Sequence, residues 1–315
     1  MRNADPRQLW AIVLAASQAA ERLSAEHRDI VCRTFTRDGR LELAPASPSD
    51  PDAPIAWRRG AGWEVRLPPD DPGRPLLDLY LPLCGATAAR PITVAHLGQS
   101  LDGFIATHAG ESRWVTGEEN MRHMHRLRAL CDAVIVGPGT VAADDPLLTT
   151  RLVTGPNPLR VVLDPSRRLG PDHRVFTDDQ AETLYICAAS AVKPGETRFG
   201  RASIACVAGT NDGIDPADVI RLLRARGCAR VFIEGGGVTV SRFLQANVLD
   251  RLHVTIAPLL IGAGRPAIRL PAPAALGDCH RPTYRVFRMG GDVLFDCDVR
   301  AKADAASDDE IARVI

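Results

Sequence analysis

The chain predicts an α/β fold with a mostly parallel sheet and an antiparallel edge, preceded by a small N-terminal α+β unit. Three observations carry this. From Pro91 onward, short apolar runs alternate with amphipathic helical stretches, the pattern of a parallel sheet covered on both faces. The last apolar runs, 252–256, 284–289 and 293–299, have only loops between them, which predicts antiparallel pairing. Residues 1–88 lack the alternation and contain PASPSDPDAP at 45–54, a Pro/Ser/Asp-rich loop. The expected organisation is an accessory domain at 1–88, a main domain at 89–300 and a polar tail at 301–315.

Of 315 residues, 45% are apolar, so a sizeable core can form. Lys+Arg and Asp+Glu both number 38. With no net charge and no basic stripe, nucleic acid is not an expected partner. No apolar run reaches the roughly 18–20 residues of a membrane span, and the N-terminus lacks a signal-peptide layout. A cytoplasmic protein with no membrane partner is expected. None of the eight cysteines is arranged as CxxC, and several lie in apolar runs. They read as buried, reduced thiols, and no metal is expected because no Cys/His cluster has ligand spacing.

Element by element, residues 8–23 carry Leu9, Ile12, Val13, Ala16 and Ala20 at helical spacing. Strands follow at 31–35, 41–43, 62–67 and 76–83. In the main domain, 92–97 is a strand. Thr116 and Glu119 read as a capping box starting a helix to about residue 130. Strand 133–136 leads to a short helical turn after Gly139. Strands at 160–164, 184–187 and 203–207 come next. Asp215 opens a helix that Gly227 stops. Strand 230–234 runs into three glycines and a helix over 238–246.

Three polar, glycine-rich turns at strand ends, QSLDG, GESRW and VGPGTVAADDP, suit a ligand held at one sheet edge. In VFIEGGGVTVSRFL, Gly235, Gly236 and Gly237 precede a helix whose N-terminal N–H groups would attract a pyrophosphate; a tight structural turn is the alternative. Thr239, Ser241 and Arg242 would add contacts. Glu234 ends an apolar strand, where a carboxylate needs a substrate hydroxyl or a buried partner. Asp102 is either a turn aspartate before Gly103 or an active-site group. Trp114 would cover a flat ring or staple the helix start. Thr140 would reach a cofactor phosphate or amide, and Asp144 precedes the helix end. Arg128 and Arg151 are candidate phosphate clamps. Arg167 and Arg168 would read a 2′-phosphate on an adenosine ribose, or lie in a solvated loop. His123 and His125 fall on different helix faces and are expected in solvent. HAGE at 108–111 has no downstream PCxxC, so a zinc-deaminase site is rejected.

In order, SLDG, GESRW, LRALCDAVIVGPGTVAADDPLLTTR, LRVVLD and VFIEGGGVTVSRFLQANVLDRLHVTIAPLLIGAG resemble the reductase domain of riboflavin biosynthesis, the RibD C-terminal type. The match runs from about residue 91 to 299. The resemblance implies a dihydrofolate-reductase-like three-layer sandwich, NADPH as hydride donor and a homodimer. It implies reduction at C1′ of the ribosylamino group of a pyrimidine 5′-phosphate. It places Gly98, Trp114, Thr140, Asp144 and the turn Gly236, Gly237, Val238, Thr239, Ser241 and Arg242 on the cofactor. It places Ser112, Arg128, Leu148, Arg151 and Glu234 on the substrate, with the two arginines on the 5′-phosphate side. Asp102 matches an aspartate at the active-site edge, so Asp102 and Glu234 are the catalytic candidates. The family commonly has a lysine where this chain has His96, which is expected to donate to substrate instead and to titrate near neutrality. Phe104 stands where the family often has Lys or Arg, and residues 1–88 are too short for the usual deaminase. A paralogous reductase on another pyrimidine, pterin or carbonyl compound, and a nucleotide-binding regulator without turnover, are the alternatives.

Overall fold

A computed structural model describes residues 6–210 and 213–302. The chain divides into two compact units, Met1–Pro91 and Ile92–Ile315. The polar tail expected at 301–315 falls, from residue 303 on, outside the described residues.

The first unit contains α1 (Pro6–Ala25), β1 (Ile30–Arg37), β2 (Arg40–Pro45), β3 (Ile55–Arg58), β4 (Gly62–Val65) and α2 (Arg74–Cys84). Its antiparallel sheet has the order β2-β1-β3-β4. Leu9, Ile12, Val13, Ala16 and Ala20 of α1 are all buried, as their spacing requires. The expected strand at 76–83 is wrong: those residues belong to α2. Pro75 starts that helix, and Leu77, Tyr80, Leu81 and Cys84 form its buried face. A short, almost wholly apolar run fits a buried strand and a buried helix equally well. Trp10 meets Tyr80 edge-on with ring centroids 5.5 Å apart.

The second unit opens with β5 (Ile92–Ser100), β6 (Phe104–Thr107), α3 (Glu118–Leu130), β7 (Ala133–Val136), α4 (Pro138–Asp144) and β8 (Leu159–Leu163). It continues with α5 (Arg174–Thr177), β9 (Thr183–Ala188), β10 (Arg198–Phe199), β11 (Ala202–Val207), β12 (Gly209–Thr210), β13 (Gly213–Ile214) and α6 (Pro216–Ala225). It closes with β14 (Arg230–Glu234), α7 (Gly237–Gln245), β15 (Arg251–Ala257), β16 (Gly264–Pro266), β17 (Pro282–Met289) and β18 (Asp292–Lys302).

Ten strands form one sheet in the order β10-β11-β9-β8-β7-β14-β5-β15-β18-β17. Pairing is parallel from β11 to β15 and antiparallel at both ends. Alternate residues along each strand face opposite sides. Ala95, Leu97, Ile135, Val161, Val231 and Ile233 pack with Val219, Leu223, Val240 and Phe243 of α6 and α7. On the other face, α3 contacts β14 and β5 through polar side chains. Helix, sheet and helix give the three-layer dihydrofolate-reductase-like sandwich that was expected. The capping box is not formed: α3 starts after Gly117 without a side-chain cap. The Thr116 hydroxyl accepts from Asn120 Nδ2 at 2.8 Å, and Asp292 on β18 accepts from the Gly117 N–H at 2.7 Å.

Candidate active site

Cross-strand register aligns Glu234 with His96, His96 with His253, His253 with Asp296, and Asp296 with Arg285. Residues in register share a face, so five polar side chains form one row across the sheet. Helix α3 covers it.

At the β14 end, Glu234 is 6% exposed and Arg128 is 5% exposed. Arg128 Nε donates to Glu234 Oε2 at 2.7 Å, and a second guanidinium nitrogen donates to Oε1. This is the buried-partner reading of Glu234. It also corrects the expectation for Arg128, whose fork is committed to a carboxylate rather than open to a phosphate. Arg128 donates further to the Thr149 carbonyl at 3.0 Å. The His125 ring is buried beside it, which corrects its expected solvent position. Its Nδ1 accepts the Arg151 N–H at 2.8 Å. A neutral imidazole has one proton, so that proton sits on Nε2, 3.4 Å from Arg128 NH1. His125 Nε2–H therefore faces the Arg128 NH1 edge, which donates to the Thr149 carbonyl. Burial, then Arg128 and Arg151, push the His125 pKa down to about 4. Arg151 is exposed, and its guanidinium donates to the Thr149 hydroxyl at 2.8 Å. The guanidinium of Arg151, His125 Nε2–H and the Arg128 edge thus make a cationic corner.

The rest of the row is neutral at its centre. His96 is 3% exposed, with Nε2 at 2.9 Å from Asn120 Oδ1 and 3.2 Å from Thr255 Oγ1. It does not face an open site, so its expected role as substrate donor is corrected. Burial, then the neighbouring His253, push its pKa down to about 3. His123, expected in solvent, is fully buried, with Nε2 at 3.1 Å from His253 Nδ1. Burial, then His253 and His96, hold it well below the usual histidine value. His253 Nε2 lies 3.1 Å from Asp296 Oδ1. Burial opposes ionisation of Asp296, yet His253 and Arg251 keep its carboxyl below the ordinary range.

At the carboxyl ends of β7 and β8, a cavity of about 360 Å³ is lined by Gly137, Ser166, Arg168, Val238, Thr239 and Arg242, among others. Val238 is 69% exposed at its mouth. Gly236 and Gly237 divide by role. A Cβ on Gly237 would come 1.6 Å from the Ala267 carbonyl oxygen, so that glycine serves packing. A Cβ on Gly236 would meet nothing nearer than 3.9 Å, leaving a ligand free to approach. Thr140 accepts from the Gly236 N–H at 3.3 Å and braces the turn. Ser241 is buried and accepts from the Arg269 N–H at 2.8 Å, so its side chain is not open to a cofactor. Arg167 is taken by Glu196, with contacts at 2.5 and 2.7 Å. Arg168 remains on the cavity wall, with Asp164 at 3.8 Å.

Asp102 serves the turn. It accepts from Ser100 Oγ at 2.5 Å and from the Gly262 N–H at 2.6 Å, and these bonds lower its pKa. That is the turn reading of Asp102, a clamp on the 259–262 loop. Gly98 is glycine because a Cβ would lie 2.8 Å from Thr116. The Leu148 side chain is fully buried at φ 56°, so any substrate contact would come from its backbone. Ser112 is half-buried and Trp114 is 77% exposed. Burial raises the Asp144 pKa, Arg113 and Arg265 oppose the rise, and Glu234 adds to it.

Residues 91–284 match the RibD C-terminal domain family. A 2,5-diamino-6-ribosylamino-4(3H)-pyrimidinone 5′-phosphate reductase of Methanothermobacter thermautotrophicus is 38% identical over 181 residues, 56% of this chain and 82% of the relative. Riboflavin biosynthesis protein RibD of Aquifex aeolicus is 32% identical over 179 residues, 56% of this chain, and the match spans 49% of that relative. A Thermotoga maritima deaminase/5-amino-6-(5-phosphoribosylamino)uracil reductase superposes with TM-score 0.57 at 25% identity, covering 72% of this chain and 61% of that one. The glycine turn, the cavity beside it and the buried Glu234–Arg128 pair all lie within the matched span, and the chain belongs to the RibD C-terminal domain family.

Proposed function

We propose that the chain is a reductase of a phosphorylated ribosylaminopyrimidine, with NADPH as hydride donor. The Methanothermobacter relative is named for that substrate class. The observation that carries the reading is the exposed Arg151 guanidinium beside the buried Glu234–Arg128 pair and His125. A guanidinium fork open to solvent suits phosphate oxygens. Glu234 would orient sugar hydroxyls next to it.

The cavity suits a dinucleotide's phosphates, because Val238 and Thr239 of the first turn of α7 line it and the open Gly236 backbone precedes them. Arg168 supports NADPH over NADH, since its partner Arg167 is already paired. The bound nicotinamide would supply the hydride. The protein's part is to hold the reactants in line and to fix charge around them. The homodimer belongs to the same reading: β17 ends the sheet with an open edge, and Tyr284 on it is 62% exposed. No helix among the described residues is long and apolar enough to cross a membrane.

The test is to mix the full chain with NADPH and a ribosylaminopyrimidine 5′-phosphate and follow the nicotinamide absorbance. Substrate-dependent loss is expected. NADPH binding without oxidation would overturn the substrate assignment. Arg168→Ala should raise the Kd for NADPH about tenfold, roughly 1.4 kcal/mol, and leave NADH unchanged. Gly236→Ala should weaken NADPH binding with stability within ~0.5 kcal/mol of wild type. Gly237→Ala should cost roughly 1–3 kcal/mol by overpacking, read from urea melts. Equal stability losses in the two variants would refute the cradle.

A further inference from the structure

The first unit contains a cavity of about 210 Å³ lined by Ser24, His27, Trp57, Arg59, Thr87 and Arg90, with Gly60 and Gly85 completing it. At ~30 Å³ per molecule it holds about seven waters, the size of a small ligand. Its floor is built: Trp57 is 4% exposed and Thr87 is 2% exposed. Its rim is cationic, and no lining residue is acidic.

The nearby acids are engaged elsewhere. Asp29 accepts from the Arg59 backbone N–H at 2.9 Å and from Arg58 at 3.4 Å. Glu64 pairs with Arg58, and Glu26 pairs with Arg22 and Arg28. Among the described residues, the Arg59 guanidinium has no acidic partner. Arg90 is held across the cavity by donating to the Gly60 carbonyl. The cations are not needed to cap the end of α2, because the Gly85 and Ala86 N–H groups already take the Leu81 and Leu83 carbonyls. Thr87 Oγ1 accepts the Arg90 N–H at 3.2 Å, which leaves its hydroxyl proton to donate.

We propose that this cavity is a second binding site, separate from the reductase site, for the phosphate group of a small metabolite. Two guanidinium groups match a phosphate dianion better than a carboxylate, which one fork satisfies. A pocket of one charge sign also concentrates such an anion. Ser24 and Thr87 supply neutral donors.

The test follows the Trp57 indole N–H by NMR in the full chain, assigned through Trp57→Phe, while inorganic phosphate is added. This local signal separates the cavity from any phosphate bound in the second unit. The expected result is a saturable shift that acetate does not reproduce. Arg59→Gln with Arg90→Gln should raise the apparent Kd at least tenfold and leave NADPH binding unchanged. No shift with phosphate, an equal shift with acetate, or unchanged affinity in the double variant would overturn the site. Both arginines are exposed, and an unchanged Trp57 indole N–H signal in the phosphate-free variant reports that the first unit has folded.

Discussion

The two halves of the polar row deal with burial in opposite ways. At one end, Glu234 and Arg128 are both charged and joined by two hydrogen bonds. In the middle, His96 and His123 escape the cost of a buried charge by staying neutral. The charged end adjoins open surface at Arg151, whereas the neutral middle is sealed by α3. Burial alone does not mark a functional group. A buried charge beside open surface is the group the proposed substrate would reach.

The largest test of this contrast is Glu234→Gln. It leaves the Arg128 charge buried without its partner, at a cost of roughly 3–5 kcal/mol, and turnover should be lost. Adding Arg128→Met should recover most of the stability without restoring turnover. If the double variant regains activity, the pair only supports the fold. A single variant that melts like wild type would show that the charge is not buried.

Acid should act on the neutral half. An unfolded histidine titrates near 6.5, while folded His96 takes its proton only at about pH 3. Stability is therefore complete above about pH 6.5 and falls as pH drops below it. The loss is ~1.4 kcal/mol per pH unit for each such histidine. With His123 held low as well, urea midpoints should fall steeply between pH 6 and 5. The slope should flatten by one proton in His123→Gln; an identical slope in the variant would remove His123 from the acid response.

The smallest effect is expected at His96 itself. His96→Gln can keep a donor to Asn120, so it should cost about 1 kcal/mol. The pH profile of turnover from 5 to 8 should match wild type, because a neutral, sealed histidine does not titrate there. A profile that changes with this substitution would return His96 to the substrate.

Much of this was legible in the sequence. Strand–helix alternation after Pro91 fixed the parallel sheet, because a crossover helix leaves few other arrangements. The glycine turn and Glu234 were legible as a strand end opening a helix. The α2 helix was not, since its apolar run had no distinct period. Spacing puts His123 and His125 on different faces of one helix, and only packing decides which faces are covered. His253 and Asp296 carried no motif, being single polar residues in ordinary strands.

What the sequence determined by itself was therefore local and periodic: the elements, their order and the turns at strand ends. What only tertiary structure decided was partnership. Residues 106 positions apart make the Arg128–Glu234 pair, and register across five strands aligns the row. Such contacts depend on how elements pack, and no spacing along the chain encodes them.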